Sequence, residues 1–163
     1  MTLLKPADTP RCSGATKSVC IRIPGVPVAQ PRQRHAVIAG IVRNYTPTRH
    51  PANAWKAAVA AAWQAATDAP PLDGPVWLSV MFVMPRPQRL LTKGKRDLTV
   101  LHDHKPDLDN LLKCLKDALH GLAWRDDSQV AQLRACKVYA AADEQPHCEL
   151  YVDVMHEICN AVV

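Results

Sequence analysis

Leucines at 108, 111, 112, 115 and 119 fall at the i, i+3, i+4, i+7 spacing of one helical face, and this stripe constrains the fold more than any other feature. It predicts a core-facing helix over about 108–120, stopped by Gly121. A second helix is expected over Pro51–Ala66, where Trp55, Val59 and Ala62 share a face and Pro70-Pro71 lies beyond the end. From Pro75 to Met84 the residues are apolar on both faces, as in a central buried strand. Further strands are expected over Val19–Val28, broken by Pro24 and Gly25, and over about 129–140 and 147–156. Val37 to Tyr45 reads as a hairpin turning at Gly40. Helices and strands alternate irregularly, which predicts an α+β fold: a single domain with a mixed β-sheet and two main helices over 18–158. Residues 1–17, with Pro6, Asp8, Pro10, Ser13 and Gly14, read as a flexible N-terminal tail.

Charge then bears on partners. Twenty Lys and Arg against fifteen Asp and Glu give a net charge of +5, which suits a polyanion but does not require one. The six cysteines form no CxxC pair, so reduced thiols are expected rather than a zinc site or a disulfide scaffold. Met1 to Lys17 lacks the apolar core of a secretory signal, and no run approaches the roughly 20 apolar residues of a membrane span. A cytoplasmic protein without a membrane partner is the expectation.

The chemistry-bearing residues cluster at the start of the leucine helix. Pro85 to Pro106 reads as a long basic loop, with Arg86, Arg89, Lys93, Lys95, Arg96 and Lys105 set against Asp97 and Asp103. Pro106 favours an extended approach, which makes Asp107 the N-cap and puts Asp109 in the first turn. Because an N-cap residue is not helical, the two carboxylates can converge, and such a pair suits Mg²⁺, which takes one or two carboxylates plus waters and phosphate. Lys113, four residues past Asp109, shares its exposed face and is placed to neutralise a phosphate oxygen. Asp127 follows the far end of the helix, roughly 20 Å from its start, and the extended chain from Gly121 covers about the same distance. It either returns to the helix start or serves a site across a dimer.

Each residue has a plainer reading. Asp107 and Asp109 can cap the helix, for about 0.3–1 kcal/mol each. Lys113 can pair with Asp109, and Asp126-Asp127 can be turn chemistry. Together the acids are harder to dismiss, because without a metal their mutual repulsion would raise at least one pKa. His102 and His104 have the His-x-His spacing of a transition-metal site, but on an exposed basic loop they are expected to face phosphate or solvent. Trp55, Trp63 and Trp77 fall on core elements and Trp124 packs before the acidic pair, which leaves no stacking platform for single strands.

The run Lys105-Pro-Asp-Leu-Asp-Asn-Leu-Leu-Lys-Cys-Leu-Lys-Asp-Ala-Leu-His-Gly121, followed by Trp124-Arg-Asp-Asp-Ser-Gln-Val130, resembles the core of the RusA family of Holliday junction resolvases. The resemblance implies a Mg²⁺-dependent homodimer that resolves branched DNA, the four-way junction, by paired cuts on opposed strands. It implies Asp107, Asp109 and Asp127 as metal-binding catalytic acids and Lys113 as the essential lysine, with Asp117 and Asp126 in supporting roles. Arg32, Arg34 and the basic residues 86, 89, 93, 95, 96 and 105 are expected to hold the DNA backbone. The alternatives are a Mg²⁺ nuclease for flaps or forks, and a non-catalytic DNA-binding protein whose acids only cap a helix.

Overall fold

The computed structural model describes residues 18–31, 34–38, 41–45, 49–91 and 99–155, with the backbone alone at 34–38 and 41–45. The expected tail at 1–17, and Arg32, Lys93, Lys95 and Arg96, lie outside the described residues. The elements run β1 (Val19–Pro24), β2 (Arg34–Ile38), β3 (Ile41–Tyr45), α1 (Pro51–Ala66), β4 (Val76–Met84), α2 (Leu108–Leu119), β5 (Val130–Tyr139) and β6 (His147–Val154). Four strands form one mixed sheet in the order β1-β6-β4-β5, and β2-β3 is a separate antiparallel hairpin. This is the expected α+β architecture with two helices.

The sheet is antiparallel except where β5 runs parallel to β4. A parallel neighbour needs a crossover, and the chain between the two strands supplies it with α2. The leucine helix is therefore both core element and connection. On β4, Val76, Leu78, Val80 and Phe82 alternate into one core with Ile21 and Ile23 of β1 and Leu150 and Val152 of β6. Trp55, Val59 and Trp63 of α1 and Leu111, Leu115 and Leu119 of α2 cover that face. Trp124 joins them, fully buried. Trp77 points to the other face, half-buried, with its ring edge-on to Tyr151 at 5.3 Å.

Strand β1 ends at the break expected from Pro24 and Gly25. Pro24 has no amide donor, and Gly25 turns the chain at φ 102°, so pairing with β6 ends at Pro24–His147. The helices keep their expected bounds. His50 caps α1 by accepting from the Ala52 amide at 3.2 Å, and Gly121 stops α2 at φ 75°. No other side chain adopts that conformation without strain, so Gly121→Ala should cost about 1 kcal/mol of stability, read as a lower urea midpoint at unchanged slope.

Candidate active site

α2 presents two faces of opposite character. Leu111, Leu115 and Leu119 are fully buried. Asp109, Lys113, Lys116 and His120 recur at intervals of three and four on a different stripe, which reaches solvent. Asp107 is the N-cap, extended at φ −70° and ψ 142°, and its carbonyl accepts from the Leu111 amide at 3.2 Å to close the first turn. Its side chain makes no capping hydrogen bond. Among the described residues, the carboxylates of Asp107 and Asp109 and the ammonium of Lys113 have no internal partner. Neither the capping role of Asp107 nor an Asp109–Lys113 ion pair is realised. Among the described residues these carboxylates offer oxygen donors with no protein competitor, which is the chemistry a hard divalent cation takes.

Asp126 is built differently. It caps the 3₁₀ turn Asp127–Gln129, its carboxylate accepting from the Ser128 amide at 2.8 Å. Gln129 completes the box by accepting from the Asp126 and Arg125 amides while donating to the carbonyls of Leu72 and Gly74. The supporting role expected of Asp126 has this local cause. Asp117 is likewise occupied, pairing with Lys56 of α1 at 2.8 Å and tying the helices together.

Asp127 meets the polar stripe near its end. The Trp124 indole donates to Oδ1 at 2.9 Å, and the Lys116 ammonium and His120 Nδ1 each approach to 3.5 Å. Partial burial pushes this carboxyl up, but the indole hydrogen bond and the two basic neighbours outweigh it and hold it below the usual range. The repulsion expected to raise a pKa in the acidic group does not govern Asp127, because its immediate neighbours are basic. Lys116 and His120 lie roughly two and three turns beyond Asp109. Asp127 thus shares the face of Asp109 and Lys113 but not their end of the helix. Among the described residues of one chain, no three His, Cys, Asp or Glu side chains are grouped to hold a metal.

The basic residues divide as well. Arg86 is half-buried and donates to the carbonyls of Leu90 and Ala140, which fastens the loop to the end of β5. Arg89 approaches His104 Nε2 at 3.5 Å, and Lys105 is exposed beside the acidic pair. His104 is exposed and pairs with Asp103 at 2.7 Å. His102, expected to face phosphate or solvent, is buried instead, with its ring 4.6 Å from that of Tyr139. Burial and the nearby Lys137 hold its pKa down, so at neutral pH it carries no charge to offer DNA. At the helix start, the Gln30 amide donates to the Asn110 carbonyl at 2.9 Å. That bond brings the chain just before Arg32 and Arg34 against the first turn of α2.

The sequence profile described as Endodeoxyribonuclease RusA matches residues 24–152, most of the chain and all of the stripe just described. The chain belongs to the RusA family. It is thereby an endodeoxyribonuclease, an enzyme that cuts within a DNA strand. A relative described as "Uncharacterized protein YqaN", from Bacillus subtilis (strain 168), is 33% identical over 140 residues, covering 82% of this chain and 95% of the relative. The RusA match runs through both helices and the sheet from the end of β1 to β6, so it spans the whole scaffold that positions the acids. No helix among the described residues is long and apolar enough to cross a membrane.

Reasoning from sequence missed Lys116 and His120 as the neighbours of Asp127. Their signal was present: they continue the three-and-four spacing that starts at Asp109. Gln129 carried no such signal, because its carbonyl partners lie more than fifty residues away in the chain.

Proposed function

We propose that this RusA-family endonuclease is Mg²⁺-dependent and acts as a homodimer, resolving four-way DNA junctions by paired hydrolysis on opposed strands. The observation that supports the reading is the start of α2, where two carboxylates and a lysine face solvent without partners among the described residues. Unpaired charges at such a site suit a cation and a phosphate brought by the substrate.

Asp107 and Asp109 would hold the Mg²⁺, and Asp127, which in its own chain lies two to three turns along α2 beside Lys116 and His120, would join them only from a second copy of the chain. When bound, the ion would supply Lewis-acid polarisation of the phosphate and a water of lowered pKa. Asp107 and Asp109 project from a helix start locked by the leucine stripe, so their spacing is fixed before substrate arrives. Lys113 donates to a non-bridging phosphate oxygen and offsets the charge that grows there in the transition state. Trp124, Lys116 and His120 keep Asp127 ionised and oriented along the same face. Arg32, Arg34, Arg86, Arg89, Lys93, Lys95, Arg96 and Lys105 hold the DNA backbone, the guanidinium of Arg86 by exchanging a carbonyl partner for a phosphate. Two opposed cuts need two centres, which a second copy of the chain provides.

Incubation with a synthetic four-way junction, a linear duplex and a flap, with and without Mg²⁺, tests this reading. Symmetric cuts on opposed strands of the junction, dependent on Mg²⁺, are expected. Equal or faster cutting of the flap would assign the alternative substrate. Binding of all three DNAs without nicking, weakening with salt by a slope of about −0.9 per phosphate contacted, would leave only a DNA-binding role.

A further inference from the structure

The chain enters α2 under the control of β5. Outside the β4 pairing, the free edge of β5 is partly taken up by residues 100–102. The Tyr139 amide donates to the Val100 carbonyl and the His102 amide to the Lys137 carbonyl, both at 2.9 Å, and Leu101 bridges Val138. His102 packs into the corner against Tyr139. Lys137 is in register with Phe82, whose side chain points into the helix-covered core, so Lys137 leaves β5 on the side where the segment leading into α2 passes.

The Lys137 ammonium donates to two main-chain carbonyls there, His104 at 2.5 Å and Pro106 at 2.7 Å. The Pro106 carbonyl belongs to the peptide unit whose nitrogen is that of Asp107. A lysine has three donors and no acceptor, and two of these are spent on backbone that carries no charge of its own. Among the described residues Lys137 has no carboxylate partner. A cation used in this way fixes the position of a chain segment.

We propose that Lys137 is a positioning residue for the metal centre. By clamping the carbonyls of His104 and Pro106 it sets the direction in which Asp107 leaves the loop, and so the pose that Asp107 shares with Asp109. The proposal rests on the nuclease reading above. Phosphate contact is the competing use of this lysine, and the two bonded carbonyls oppose it.

The test uses the full chain with Lys137→Met, which keeps the aliphatic stem, and Lys137→Arg, which keeps charge and donors. Mn²⁺ binding is followed by electron paramagnetic resonance, hydrogen exchange by peptides covering 103–111, and junction binding in EDTA by band shift. Lys137→Met should weaken Mn²⁺ binding about tenfold, the lower end for partners that orient a metal ligand. It should raise the Mg²⁺ needed for half-maximal cutting by a similar factor and speed exchange at 107–111, while junction affinity in EDTA stays as in the parent. Lys137→Arg should recover most of each change. Parental Mn²⁺ affinity and exchange in Lys137→Met would overturn the proposal. So would a loss of junction affinity with the salt slope reduced by about 1, which marks a phosphate contact. If Lys137→Met melts early throughout, Lys137→Gln takes its place under the same outcomes. A parent protein that neither binds Mn²⁺ nor cuts the junction would sink the metal reading itself, and the exchange data would still decide whether the clamp exists.

Discussion

Asp109→Asn should reduce single-turnover cutting of a four-way junction by at least about a thousandfold, some 4 kcal/mol of lost transition-state stabilisation. Junction binding in the absence of metal should be unchanged or tighter. The asymmetry follows from the place of this carboxylate: exposed at the first turn of α2 and without a partner among the described residues. The amide removes a charge that repels phosphate and leaves the fold untouched, because no described residue depends on that carboxylate. Asp117→Asn serves as the control, since Asp117 spends its charge on Lys56 and should affect cutting little. Lys113→Met should lose about 10²–10³ in rate, the scale for one transition-state donor. Full cutting by Asp109→Asn would refute the assignment of the acids.

Trp124 carries the second large effect, and here packing and chemistry separate by choice of substitution. The side chain is fully buried among the residues of the main core, and its indole N–H reaches Asp127. Trp124→Ala leaves a cavity and should cost about 3–5 kcal/mol in urea unfolding, a large part of the roughly 5–15 kcal/mol that keeps a domain folded. Trp124→Phe retains most of the ring contacts and removes only the donor to Asp127. It should unfold close to the parent and yet cut about ten times more slowly, as expected when a residue that orients a metal-binding acid is lost. A phenylalanine variant that cuts at the parental rate would show that the indole does not help Asp127 act.

The parts of this fold that were readable in the sequence are those whose information is local. α1 and α2 write their bounds in side-chain period, proline and glycine, and β4 writes its burial in an unbroken apolar run. The N-cap at Asp107 followed from Pro106 before it and leucines after it. What was not readable depends on register between distant strands. His102 reads as an exposed loop histidine until residues 100–102 dock on β5, after which Tyr139 covers its ring. Arg86 reads as a free cation until the end of β5 brings the Ala140 carbonyl within 2.9 Å. Asp127 is intermediate. Chain length allowed it to reach the start of α2, but the short turn stapled by Gln129 holds it beside Lys116 and His120 instead.

Because one helix both closes the interior and displays Asp107 and Asp109, the groups proposed to hold the metal cannot drift without loosening the domain. The segments proposed to hold DNA answer to other anchors: the β2–β3 hairpin stands outside the main sheet, and the loop after β4 is fastened through Arg86. Grip on the nucleic acid can therefore be redrawn, by natural drift or by grafting, while the cutting machinery underneath keeps its shape.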